Sequence, residues 1–404
     1  MVRVPPQPGW RATARGLGAL LVTGSRLVRP TRATRSGGAA TELGRGVALR
    51  GTVWPGGAAE AYDGVVVVAP DGRIAAIGPA GAIRLPSGLR VLGGAGSWIG
   101  PGVVDAHVHL AFGGLEEALR GGVVGVRDLG APRTQALRWR TGHRLPPAGR
   151  PYVGVAGPML TAPGGYPSRS WGAAGFASFV ATPAAARQAV RHLAGDGVDL
   201  VKIVLEPGTE RRWPVPPPAV VRAVVEAAHD AGLKVVAHAL TAETVARVVD
   251  AGVDELAHTP SSERLPEALV DRVAAAGVPV VSTLQTFFSA GVGREAAANA
   301  AALHRAGVPL VYGTDLGNAG TRPGVDPREL DRIADAGLGR LGALRAATER
   351  SGAVAWVRGR SGRLVRGEPA ALVLLAGDPL VEPGVWRRPR AVLCDGGLRE
   401  PLPF

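Results

Sequence analysis

Cysteine is nearly absent from this chain: Cys394 is the only one, so no internal disulfide can form. It sits in the apolar, strand-like run Ala391-Val-Leu-Cys394, where a lone thiol reads as a small buried hydrophobe. Long hydrophobic runs are missing as well. No apolar stretch reaches the ~18 residues of a membrane-spanning helix. Leu17-Gly-Ala-Leu-Leu-Val22 has basic flanks but is too short for a signal-peptide core. These absences make a cytoplasmic protein with no membrane partner the expectation. Acid is missing from residues 1–41, which hold Arg3, Arg11, Arg15, Arg26, Arg29, Arg32 and Arg35 and so carry seven of the chain's net +13 charges. A basic, Pro/Gly-rich leader of this kind reads as a disordered tail, residues 1–44, and nucleic acid is not the expected partner of the body. Lysine is scarce too: of 46 basic residues only Lys202 and Lys234 are lysines.

What is present is a globular composition, 46% hydrophobic and 20% charged over 404 residues. That length accommodates one barrel of about 250 residues and a smaller module. From Val47 the chain reads as short strands, Val47–Val53 and Gly64–Ala69, with a hairpin signal at Asp71-Gly72. The far end has the same texture in Ala370–Leu375 and Arg390–Cys394. Two β-rich ends around one middle predict a small β-sandwich module built from residues 45–100 and 358–404.

The middle, residues 101–357, alternates apolar strands with amphipathic helices. Eight strands are expected: Gly102–His109, Gly122–Asp128, Tyr152–Leu160, Leu200–Leu205, Lys234–Leu240, Glu255–Thr259, Val278–Gln285 and Leu310–Asp315. Helices are expected over Pro183–Ala194, Pro218–Ala231, Ala242–Ala251, Pro266–Ala276 and Glu295–Ala306, several closed by glycine. The predicted fold class is α/β, a TIM-like (β/α)8 barrel, whose chemistry belongs at the C-terminal ends of the strands.

Four of the eight histidines fall at such ends. His107 and His109 close the first strand, and strand alternation turns i and i+2 to one face, where they can share a metal. His238 closes the fifth strand, His258 the sixth, and Asp315 the eighth. Neutral imidazoles with a carboxylate suit zinc and similar divalent metals. His192, His229 and His304 lie within amphipathic helices and His143 in a Gly/Pro-rich loop, where none is expected to bind metal.

Lys202 lies in the otherwise apolar Asp199-Leu-Val-Lys-Ile-Val-Leu205, where an unpaired ammonium is expensive. It is either paired with a buried acid or reactive. Arginine is the better carboxylate partner and is used almost everywhere else in this chain, whereas only an amine can shed its proton on burial. A neutral amine can add carbon dioxide to form a carbamate, an anionic ligand able to bridge two cations.

At these residues the sequence resembles the amidohydrolase superfamily, in its imidazolonepropionase-like and prolidase-like branch of metal-dependent hydrolases. The resemblance runs from about Val47 to Gly397 and rests on Pro101-Gly-Val-Val-Asp-Ala-His-Val-His109, Val201-Lys-Ile203, Ala237-His-Ala239, Leu256-Ala-His-Thr259 and Gly313-Thr-Asp315. It implies two divalent metal ions, zinc in expectation. One is held by His107, His109, Lys202 and Asp315, the other by Lys202, His238 and His258, with Lys202 N6-carboxylated and a hydroxide bridging the pair. Catalysis would fall to Asp315, Lys202 and His258, with Asp315 moving the proton from the attacking hydroxide to the leaving nitrogen.

The reaction implied is hydrolysis of an amide, cyclic amide or dipeptide-like bond. A lactonase shares the two metals. A deaminase of the same superfamily usually has one metal and no bridging lysine, and a non-catalytic relative would have lost ligands. Homo-oligomers occur among such proteins, and no motif here demonstrates one.

The chain departs from the family pattern at Ala370-Ala-Leu-Val373 (commonly Ala-Asp-Leu-Val), at Gly164-Gly-Tyr166 (often Gly-Gly-His) and at Leu205-Glu-Pro-Gly208. Substrate contacts are expected from loops after the strands, at Arg127, Tyr166, Arg169, Glu206, Gln285 and Asn318. Arg169 could clamp a carboxylate on a small-molecule substrate through its bidentate fork, or be one surface arginine among many.

Overall fold

The computed structural model describes residues 41–42, 45–141, 149–168, 171–208, 213–318, 320–355 and 362–400. The expected tail, apart from Thr41–Glu42, lies outside these, as do His143 and Arg169. Strands β1 (Thr41–Glu42), β2 (Val47–Val53), β3 (Tyr62–Val68), β4 (Ile74–Pro79) and β5 (Arg90–Pro101) open the chain. Next come β6 (Val103–Val108), β7 (Val123–Asp128), β8 (Tyr152–Val155), β9 (Met159–Thr161), β10 (Ala177–Phe179), β11 (Leu200–Leu205), β12 (Lys234–Ala239), β13 (Glu255–Leu256), β14 (Val280–Val281) and β15 (Leu310–Val311). β16 (Ala371–Leu375), β17 (Ala391–Cys394) and β18 (Gly397–Arg399) finish it.

Both ends build one eight-stranded sheet, in the order β1-β18-β17-β16-β5-β2-β3-β4. Thr41 and Glu42 pair with Leu398 and Gly397, so this sheet begins inside the segment assigned to the tail from sequence. The strands alternate: in β2 the buried Val47, Leu49 and Val53 join Val66, Ile99, Leu372 and Leu393 in a core of their own. A second contact ties this module to the rest of the chain. Trp54 stacks on Trp98 with ring centroids 5.9 Å apart, Trp386 meets Trp98 edge-on at 6.3 Å, and all three are buried in the core of the α/β part.

The middle is an α/β fold with parallel strands. One sheet runs β10-β9-β11-β12-β13-β14-β15 and a second runs β6-β7-β8. Backbone hydrogen bonds join the two sheets at two seams. On one side Ala106 N donates to Tyr312 O (3.1 Å), Asp315 N to His107 O (2.8 Å) and His109 N to Leu316 O (2.8 Å). On the other, Asp199 N donates to Val155 O (2.9 Å). The strands are nearly continuous apolar runs, as β11 shows with all six residues buried, because helices cover their outer face.

Those helices follow the expected caps. Helix Pro183–Asp196 starts on Thr182, whose hydroxyl accepts from Ala185 N, and stops at Gly197 in the left-handed region, φ 79°. Helix Ala242–Asp250 opens with a reciprocal cap between Thr241 and Thr244.

Four expected strands differ: Glu255–Thr259 and Leu310–Asp315 shrink to the two-residue β13 and β15, and two more change course. Tyr152–Leu160 is broken into β8 and β9, and Val278–Gln285 ends at Val281. Thr283 adopts φ 43° and a helix, Leu284–Ser289, begins at once. Its first amides are satisfied from a distance: the buried Glu329 carboxylate accepts from Leu284 N (3.0 Å) and from Gln285 N. Gln285 is therefore a helical residue rather than the end of a strand. Among the described residues no helix is long and apolar enough to cross a membrane.

Candidate metal centre at the strand C-termini

His107 is the fifth residue of β6 and His109 lies just beyond it, so both emerge at the C-terminal edge. His238 occupies the equivalent place in β12, aligned with Val204 of β11. His258 and Asp315 follow the short strands β13 and β15. The structure brings the five together. Asp315 Oδ1 lies 3.2 Å from His107 Nε2 and 3.3 Å from His109 Nε2, and its Oδ2 lies 4.0 Å from His258 Nδ1. The His258 ring is 4.5 Å from that of His107 and 4.7 Å from that of His238.

Close approach at this edge depends on Gly313: a Cβ there would meet Val281 Cγ1 at 2.3 Å and His107 Cβ at 3.1 Å. Asp315 itself sits at φ 54°, a conformation that non-glycine residues adopt at a cost and that recurs at functional sites.

The imidazoles are oriented from behind. His107 Nδ1 donates to Ala257 O at 2.8 Å and His109 Nδ1 to Gly130 O at 3.2 Å. A carbonyl only accepts, so each Nδ1 carries the proton and each Nε2 presents a lone pair. Burial, followed by the charges of Lys202, His258 and His109, holds His107 well below its ordinary pKa, which keeps the ring neutral. Burial does the same for His258, whose Nδ1 shares a hydrogen bond with Thr283 Oγ1 at 3.0 Å.

Asp105 accepts from His107 N, Thr314 N and Thr314 Oγ1, binding β6 to the Gly313-Thr-Asp315 turn 209 residues away. Asp128 accepts from Leu110 N and Gly130 N, which fixes the carbonyl that holds His109. Sequence reading assigned no role to these two acids, although Asp105 lies two residues before His107 in the Pro101–His109 motif.

The donors fit a divalent cation. His107, His258 and Asp315 offer ligand atoms that all lie within 4.8 Å of one another. Among the described residues His107 Nε2 and Asp315 Oδ1 are buried without a hydrogen-bond partner, a state that costs about 1–3 kcal/mol per atom unless something else satisfies them.

Lys202 is buried in β11, level with Val236 of β12, which in turn aligns with Glu255 of β13. Among the described residues no carboxylate lies within ion-pair distance of its amine. Burial pulls the amine down to about 7; Asp315 opposes the fall and Arg127 adds to it.

The substrate-contact candidates separate. Tyr166 and Glu206 flank His238: Glu206 Oε2 lies 3.2 Å from His238 Nε2, and the Tyr166 ring is 5.8 Å from the imidazole. Asn318 donates through Nδ2 to the Asp315 carbonyl at 3.1 Å, bracing the turn. Gln285 donates through Nε2 to Ser289 Oγ, and its buried Oε1 has no hydrogen-bond partner among the described residues.

Arg127 is a correction. It is fully buried and committed to the Glu255 carboxylate and to the carbonyls of Ala106 and Val354, so it does not reach a substrate loop. The acid that claims it is 128 residues away in the chain.

The sequence reading missed a group of aromatic rings. Trp171 lies edge-on to His109 at 5.1 Å, Phe112 and Phe176 pack on Trp171, and Trp213 stacks on Tyr166 at 4.7 Å and 13°. They come from loops without periodicity, and the only signal available was that aromatics, 4% of the chain, occur there at all.

Comparison with known proteins bears on the fold and the family. An uncharacterized protein of Mycobacterium tuberculosis is 30% identical over 344 residues, 74% of this chain and 85% of its own length. A Xaa-Pro dipeptidase crystallised with methionine in its active site superposes with a TM-score of 0.75 at 20% identity, covering 88% of this chain and 100% of that one. A prolidase in complex with N-methylphosphonate-L-proline gives 0.73 at 24%, with 88% and 100% covered. The model of the amidohydrolase family matches residues 98–398, and this chain belongs to that family, as a hydrolase acting on carbon–nitrogen bonds.

Proposed function

We propose that the protein hydrolyses an amide, cyclic amide or dipeptide-like bond of a small molecule, using two divalent metal ions, zinc in the first instance. The observation that carries this is the buried pair His107 Nε2 and Asp315 Oδ1, 3.2 Å apart and both short of a hydrogen-bond partner among the described residues, with His258 beside them. His107, His109, Lys202 and Asp315 would hold one ion, and Lys202, His238 and His258 the other. Divalent ions supply Lewis-acid polarisation of the scissile carbonyl and acidify water near neutral pH.

Lys202 is read as N6-carboxylated. Its neutral amine attacks the carbon of carbon dioxide, a proton leaves, and the product is an anion suited to bridging two cations. Its depressed basicity and the lack of an ion-pair partner among the described residues support that reading over a structural lysine. Asp315 is read as the group that would accept the proton of the attacking hydroxide and pass it to the leaving nitrogen. Tyr166, Glu206, Gln285 and Asn318 are proposed as substrate contacts, with Arg169 as a clamp on a substrate carboxylate.

The two seams between the parallel sheets support reading residues 101–357 as a closed (β/α)8 barrel. The terminal sheet, from residues 45–100 and 358–404, is read as a sandwich folded on itself. A cytoplasmic location and a homo-oligomer stay with the proposal.

The test is metal content by elemental analysis, on protein produced with zinc and bicarbonate, beside Lys202→Ala. About two ions per chain in the parent and a clear loss in the variant are expected. One ion, unchanged by the substitution, makes Lys202 structural and favours deaminase chemistry. No bound metal sinks the reading.

A further inference from the structure

Five aromatic rings stand on one side of the metal centre in a chain where aromatics are rare. Tyr166 and Trp213 are stacked nearly parallel, and Tyr166 faces His238. Trp171 faces His109, and behind it Phe112 and Phe176 stack at 5.4 Å and 12°. The rings are fixed rather than loose. Trp171 Nε1 donates to the Tyr166 hydroxyl at 3.0 Å, which joins the two halves of the group. Gly165 lets the loop carrying Tyr166 press against the loop carrying Trp213, since a Cβ there would lie 2.5 Å from Pro214 O.

The cluster is not a sealed core. Phe112 is 44% exposed, and Tyr166, Trp171 and Trp213 are each only part-buried. Open aromatic surface beside a reactive centre is unfavourable in water unless something covers it, and rings held in place bind another ring at little entropic cost. Aromatic groups also attract cations, but a cation here would face a site built for two divalent ions.

We propose that this wall is a subsite for an aromatic group of the substrate, next to the bond that is cut. The proposal rests on the reading of the site as an amide hydrolase and specifies its substrate class: amides carrying an aryl or arylmethyl group on one side of the scissile bond.

The experiment compares Ala-Ala, Phe-Ala and Ala-Phe as substrates of the metal-loaded full chain. One of the two phenylalanine dipeptides is expected to exceed Ala-Ala in kcat/KM by about tenfold or more, the return from burying a side chain of that size. Trp213→Leu and Trp171→Leu, which keep apolar bulk but remove the ring, should collapse that ratio, mainly through KM. Equal rates for the three dipeptides, or a ratio that survives both substitutions, overturn the subsite.

If none is cleaved, the hydrolytic reading is what has failed for dipeptides, and calorimetry then decides the subsite separately. N-acetylphenylalaninamide binding about tenfold more tightly than N-acetylalaninamide sustains it, and equal or absent binding of the two overturns it.

Discussion

Arg127 and Glu255, both buried, satisfy each other through guanidinium–carboxylate hydrogen bonds in the interior of the α/β part. Burial raises the Glu255 carboxyl while the Arg127 charge opposes the rise and favours its ionised form. Removing one partner leaves an uncompensated buried charge, at about 3–5 kcal/mol. Arg127→Met should therefore lower stability by that order in urea unfolding. Replacing both, Arg127→Met with Glu255→Met, should restore most of it, because two apolar side chains can fill the space. A single substitution costing under about 1 kcal/mol would show that the pair is not a structural element of the interior.

Contact rather than backbone freedom demands a glycine at position 313, whose φ is not positive. A methyl group at this position would meet Val281 Cγ1 at 2.3 Å and push on His107 Cβ. Overpacking of this kind costs about 1–3 kcal/mol, and the part of the strain taken up by His107 moves a ligand of the proposed metal centre. Gly313→Ala should lower the melting temperature and also reduce bound metal per chain. A variant that melts earlier yet keeps full metal content would show that Val281 alone gives way.

The sites of chemistry were more legible in the sequence than their supports, and the reason is distance along the chain. His107, His109, His238, His258 and Asp315 each stand at or near the end of an apolar run, which places them at one edge, and Lys202 stands out as the one charge inside such a run. Arg127 was misplaced by the same logic. It precedes the last residue of β7, and nothing local reveals that Glu255 claims it. Gln285 was read as strand because Val278–Gln285 is apolar, whereas the helix there begins under a carboxylate 44 residues away. Trp171 and Trp213 lie in Pro/Gly-rich loops, where pattern says nothing about where a ring will land.

Glu329 offers a test of pH dependence with a definite sign. Burial pushes its carboxyl up to about 7, while the amide hydrogen bonds of Gln285 and Leu284 pull the other way. The ordinary value for this group is 4.5, so between 4.5 and about 7 the folded protein holds a proton here that the unfolded chain has released. Protonation in that window favours the fold, and the contribution fades as pH rises through the folded value. The stability of the parent minus that of Glu329→Gln should therefore fall between about pH 5 and about pH 8, measured by urea unfolding. If that difference instead grows with pH, the two amides hold the group ionised. It then acts as a charged cap on the helix that begins beside Thr283 and, through Thr283 Oγ1, on the orientation of His258.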